Sequence, residues 1–475
     1  MKPIHRRTLA SIFGVLNFAF GLLLPGVPVC RAADGTSGFP PQLLAFSAAK
    51  EQQAHQLAAE FNIQASPEIW SFFKSAERGD WPEMTNTYER LKLRSSQYEG
   101  SWNDPAVSSP VWQTLIEVQT AYWAFASGGT KYPLAFGEGI IQSIPAGSIY
   151  FGGTDPGRRL VTALCESHAE ARPFYTLTQN ALADIRYLDY VRSMYGNRIY
   201  VPTTNDLQNA FAEYTADAQL RLKHDRDFPN EPRQIKPGEA VREVDGRLQV
   251  SGQVAVMSIN ALIAKCIFDH NTNGGFYVEE SFPLDWMYPY LLPHGLIFKL
   301  NREPLPALPT QAIDADHTFW AKQCQSMLGD WLKPETSVSN VCAFVESVHV
   351  QKDWLHFTGD PEFVTNVFAT RTFSKLRSSS GGLYQWRLVS KTDAGDKARL
   401  RAETDYAFRQ AFALCPTSPE AVFRYVNFLL SQNRLNDAIL ITHTARKMDP
   451  DNEQLNDLLL HLLDFREQRR KAAAH

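Results

Sequence analysis

The sequence predicts an α/β fold: a three-layer domain on a parallel sheet, set between N-terminal helical hairpins and a C-terminal helical-repeat region. Three observations carry this reading. Between about residues 140 and 310, short β-branched and aromatic runs alternate with helical stretches. On both sides of that segment, apolar residues recur at three- and four-residue spacing. Towards the C-terminus, the sequence echoes itself at a 34-residue interval.

Residues 1–32 read as an export signal. Lys2, Arg6 and Arg7 form a basic start, 9–24 is apolar, Pro25 breaks the run, and small residues lead to a cleavage site after Ala32. The apolar run is shorter than the about 20 residues that cross a bilayer. The expected location is therefore periplasmic or cell-envelope, with an uncleaved anchor as the alternative. An N-terminal helical region is expected at 44–130. Ser66 and Pro67 have the form of a helix start, and Trp70, Phe73 and Ala76 share one face. Gly79 closes that helix and Asp80 opens the next, whose stripe is Met84, Tyr88 and Leu91. Trp112, Ile116, Gln119 and Trp123 mark a further helix.

In the α/β domain, 140–310, strands are expected at 148–151, 173–177, 199–201, 276–278 and 296–300. Helical faces fall between them: Ile185, Leu188, Val191 and Tyr195 ending at Gly196, then Leu207, Phe211, Tyr214, Ala218 and Leu222. The polar stretch 228–247 reads as a surface excursion, followed by a helix from about 253 to 269. Helical segments near 314–331, 337–350 and 360–388 form a linker region, 314–397. The last region, 398–475, carries the repeat. Ala411 and Ala445, and Pro416 and Pro450, share one 34-residue register, and 453–469 reads as a solvated capping helix.

Composition narrows the function. The 475 residues are 44% apolar and 21% charged, which excludes wholesale disorder and a multi-span membrane protein. Formal net charge is −4; without the first 32 residues, 43 basic face 51 acidic residues, a net of −8 that argues against a nucleic-acid partner. Beyond Cys30, Cys165, Cys266, Cys324, Cys342 and Cys415 are scattered without a Cys-x-x-Cys pair and read as buried thiols, one or two bridges being the alternative.

Parallel strands place their exits on one edge, where ligands bind at a reversal of strand order. The predicted exits are polar: Gly152, Gly153, Thr154, Asp155 and Arg158; Thr178, Gln179 and Asn180; Thr203, Asn205 and Asp206; Glu279 and Glu280. These form the candidate ligand site. The glycines allow close backbone approach before a helix start, although the spacing matches no phosphate loop. A structural turn is the competing account. Other signals are incomplete. Cys165 and His168 have metal-ligand spacing but no second pair, so no metal is assigned. Glu279, Glu280 and Asp285 could hold an acid/base pair, but neighbouring strand residues face opposite ways. The aromatic run at 286–290 suits either sugar stacking or packing between sheet and helices. No nucleophile elbow or zinc-protease motif is present, so no catalytic residue or cofactor is assigned and enzymatic activity stays open.

Two resemblances add to this. The 34-residue register at 411–450 is similar to tetratricopeptide repeats in degenerate form, with Val422, Val426 and Leu429 at the usual Trp, Gly and Tyr positions. The stretches IPAGSIYFGGTDPGRRLVTAL at 144–164, RPFYTLTQNAL at 172–182 and YLDYVRSMYG at 187–196 resemble the soluble region of bacterial membrane proteins related to protein O-mannosyltransferases. The whole chain resembles an uncharacterised family of exported bacterial proteins with this layout. The first resemblance implies protein–protein contact through helical repeats. The second implies a soluble module outside the cytoplasmic membrane that contacts glycan or protein, without the membrane part on which glycosyl transfer depends. The expected function is a cell-envelope binding or assembly protein; the alternative is an enzyme or binding protein for a glycan or other polar small molecule in the α/β cleft.

Overall fold

A computed structural model describes residues 38–98, 100–153, 156–165, 174–244, 247–279, 283–389 and 394–473. The basic–apolar N-terminal segment lies outside the described residues. The chain starts with helices α1 (Pro41–Glu60), α2 (Pro67–Glu77), α3 (Trp81–Lys92), α4 (Val111–Gly128) and α5 (Lys131–Ile141). Local signals set their ends: the Asp80 carboxylate accepts from the Glu83 N–H at the start of α3. Then come β1 (Ser148–Gly152), α6 (Pro156–Leu164), β2 (Phe174–Thr178), α7 (Ile185–Tyr195), α8 (Thr204–Asp227), β3 (Ala240–Val244), β4 (Arg247–Ser251), α9 (Gln253–His270) and β5 (Phe276–Glu279). A hairpin, β6 (Leu291–His294) and β7 (Ile297–Leu300), completes the sheet. The remainder is helical: α10 (Thr310–Leu328), α11 (Val338–Val345), α12 (Pro361–Thr365), α13 (Val367–Val389), α14 (Ala394–Leu414), α15 (Pro419–Ser431), α16 (Leu435–Met448) and α17 (Glu453–Ala473).

The main sheet has the order β2-β1-β5-β7-β6. The first three strands are parallel, as expected, and β1 lies between β2 and β5. The chain therefore leaves β1 towards one neighbour and returns on its other side, which makes a reversal of strand order at β1. Two expectations are corrected. The sheet is mixed rather than parallel, because the run at 296–300 closes a tight hairpin and a two-residue turn permits only antiparallel pairing. The run at 199–201 is no strand. The Asn271 side chain holds both backbone groups of Tyr200, at 2.7 and 3.1 Å, where ladder partners would stand. The predicted surface excursion ends in the first strand of a hairpin that continues beyond it, since β3 and β4 pair and pack with Tyr214 and Ala218 of α8 in a small satellite core.

The sheet is covered on both faces. Phe268 of α9 packs edge-on against Phe276 on one side, and Thr162 of α6 bonds Thr176 on the other. One continuous core runs from Leu43 through the strands to Leu462, so the C-terminal helices share the sheet's interior. Helix α13 lies within it and is apposed closely to α14 at Gly381, where an added Cβ would sit 2.8 Å from the Phe408 ring. Gly381→Val is expected to lower stability by about 1–3 kcal/mol through overpacking, read as a reduced urea midpoint.

Candidate functional site

The sheet brings part of the predicted site together. Gly152 stands opposite Thr178 on one side and Glu279 on the other, so three of the expected exits end in register. Thr203, Asn205 and Asp206 are elsewhere. Thr203 and Asp206 form a reciprocal capping box at the start of α8. Through Tyr200 and Asn271 that segment is fastened where the chain approaches β5, not where it leaves. Thr154, Asp155, His168 and Glu280 lie outside the described residues. Asp285 is almost fully exposed and does not meet buried Glu279.

Residues at the shared edge have specific tasks. Gly152 is required by contact, since its Cβ would fall 2.3 Å from the Arg158 Cβ. The Thr178 N–H donates to the Tyr187 hydroxyl at 2.5 Å. Asn260 of α9 accepts from the Ala183 N–H and donates to the Asn180 carbonyl, pinning the turn that follows β2. The Thr178 Oγ1 and Gln179 Oε1 atoms are fully buried without a hydrogen-bond partner.

The charges of the site are engaged inside the protein. Arg158 is buried, and both its Nη atoms donate to Glu117 Oε1 at 2.8 Å. Glu117 Oε2 meets Lys50 Nζ at 2.6 Å and accepts from the Tyr190 hydroxyl at 2.7 Å. Arg158 continues through Thr162 and Thr176 to the Tyr195 hydroxyl. On the neighbouring strand, Glu279 Oε1 accepts from Lys375 Nζ of α13 at 2.9 Å, and Tyr150 donates to its other oxygen at 3.5 Å. Sequence reasoning missed Lys50, Glu117 and Lys375. Only Glu117 carries a readable signal, as the lone charge in a helix otherwise buried nearly all round.

Burial lowers the Lys50 pKa to about 8, with Glu117 opposing part of that effect. The ordinary value is 10.5, so between these limits the unfolded chain holds a proton that the folded chain lacks. The Lys50 contribution to unfolding free energy therefore rises with pH across that window. Lys50→Met is expected to remove this rise, which thermal melts of both proteins from pH 7 to pH 11 would detect.

The remaining polar signals are structural in the described residues. The thiols of Cys266, Cys324, Cys342 and Cys415 are free, and all but Cys266 are buried; Cys165 is buried as well. Trp286 and Tyr290 pack around Phe268, and Tyr288 stacks on Trp386. His294 bonds the Ser143 carbonyl at 2.8 Å. Among the described residues no cluster of His, Cys, Asp and Glu has metal-binding geometry, and no helix is long and apolar enough to cross a membrane.

These features define a mostly helical α/β protein with a mixed five-stranded sheet whose edge charges are paired internally. No known family model matches the chain, and no curated protein is significantly similar to it.

Proposed function

We propose that this chain is an exported binding or assembly protein of the cell envelope that contacts a protein partner through its C-terminal tetratricopeptide-like helices. The observation that carries the reading is the fate of the edge charges. Arg158 is committed to Glu117 and Glu279 to Lys375, which favours a scaffold over a catalytic cleft. The helix pair α15 and α16, with buried Ala438 and Ala445 permitting close approach, and the solvated α17 supply the surface. The test combines fractionation with capture. The protein is expected in the envelope or periplasmic fraction with a new N-terminus at Ala33. Crosslinking should recover a defined partner, lost with Leu460→Asp on the outer side of α17, where the wild-type side chain is 62% exposed. Cytoplasmic retention, or a partner kept by the variant, would count against the reading.

A second reading has one observation in its favour: the unpartnered Thr178 and Gln179 oxygens beside Gly152 and Gly153. A neutral polyol or sugar, which donates hydroxyl protons without bringing charge, suits that edge better than a phosphate. Saturation at 100 times the dissociation constant would add about 2.7 kcal/mol to stability. A panel of monosaccharides that leaves the melting temperature unchanged in both the wild type and Thr178→Val would remove it.

A further inference from the structure

A different polar centre lies between three helices, remote in sequence from the sheet edge. The Arg377 guanidinium of α13 is fully buried. Its Nη1 donates to Asp316 Oδ2 of α10 at 2.7 Å, and its Nε donates to Gln410 Oε1 of α14 at 2.7 Å. The Tyr384 hydroxyl reaches the same Asp316 oxygen at 2.7 Å. Trp320, one turn beyond Asp316, has its ring 5.4 Å from the guanidinium carbon. All of these side chains are buried.

Four polar atoms around this guanidinium have no protein partner: Asp316 Oδ1, Arg377 Nη2, Trp320 Nε1 and Gln410 Nε2. Buried polar groups are rarely left unpaired, and four gathered on Arg377 and the residues it touches require one explanation. Their chemistry selects the occupant. Three atoms are N–H donors and one is a carboxylate acceptor, so the occupant must both accept and donate. A metal cation fails because it would face N–H donors. An anion fails because it would face the free carboxylate oxygen. Asp316 and Arg377 cancel each other's charge, so the occupant is neutral.

We propose that this junction is a buried hydration site, in which one or two water molecules donate to Asp316 Oδ1 and accept from Arg377 Nη2 and the neighbouring N–H groups. Such waters complete the hydrogen bonding that ties α10, α13 and α14 together, as buried waters do at polar sites with three or so partners.

The test uses the full chain. A crystal structure resolving ordered solvent is expected to show density within hydrogen-bond reach of both Asp316 Oδ1 and Arg377 Nη2. In protein labelled with 15N-tryptophan, the Trp320 indole proton is expected to show a cross-relaxation peak at the water frequency. Trp320→Phe identifies that signal by removing it. Direct two-point pairing of the Asp316 carboxylate with Arg377 and no water peak would overturn the proposal. So would an anomalous peak at this position in crystals soaked in bromide.

Discussion

Glu117→Gln is expected to destabilise the folded chain by roughly 3–5 kcal/mol, because it removes a buried carboxylate that two buried cations share. Lys50 and Arg158 would be left facing each other without their counter-charge, and the Tyr190 hydroxyl would lose an ionised acceptor. Glutamine keeps the volume, so the loss reports charge rather than a cavity. The triple replacement Lys50→Met, Glu117→Met and Arg158→Met should recover most of it, since apolar residues of similar size often replace buried ion networks at little cost. Urea unfolding of the wild type, the single variant and the triple variant provides the comparison. A single variant within about 1 kcal/mol of wild type would mean that water reaches the cations, contrary to their burial.

A chain ending at residue 393 is expected not to fold. Helix α14 places Phe408, Phe412 and Leu414 in the same core as Ile149 and Phe276 of the sheet, each fully or almost fully buried. Removing one buried Phe side chain costs about 3–5 kcal/mol, and whole domains are stable by about 5–15 kcal/mol. The truncation would also uncover α13, whose Arg377 loses Gln410. Near-ultraviolet circular dichroism and limited proteolysis should show loss of fixed packing. A cooperative melt of the shortened chain would show instead that the C-terminal helices form a separate unit. Deletion of this region therefore cannot test partner binding, and the surface substitution at Leu460 is the appropriate probe.

Much of the frame was legible in the sequence. The described parts of the expected runs, 148–151, 174–177 and 276–278, do lie side by side in one direction, and their exits share an edge, because fully buried strands read as short apolar runs between turn residues. The helix starts at Pro67 and Trp81 and the stop after Tyr195 followed from local chemistry. What escaped depends on distant partners. Nothing near Ile199 announces that Asn271 will occupy the backbone of Tyr200. Strand direction at 297–300 is set by the hairpin it closes, and the composition of the run is neutral on that point. Phe211, expected on the buried stripe of α8, is half exposed, because the satellite core takes only Tyr214 and Ala218. In the site, the residues were found but not their obligations. Arg158 looks available to an anion in sequence, and only the fold shows α4 offering Glu117 beneath it.

The unlinked state of Cys266, Cys324, Cys342 and Cys415 bears on how the chain matures. In that state the described fold needs no oxidation at these positions to reach its native form. Preparations made under reducing and oxidising conditions should be equivalent at these positions, and dithiothreitol should leave the described fold undisturbed.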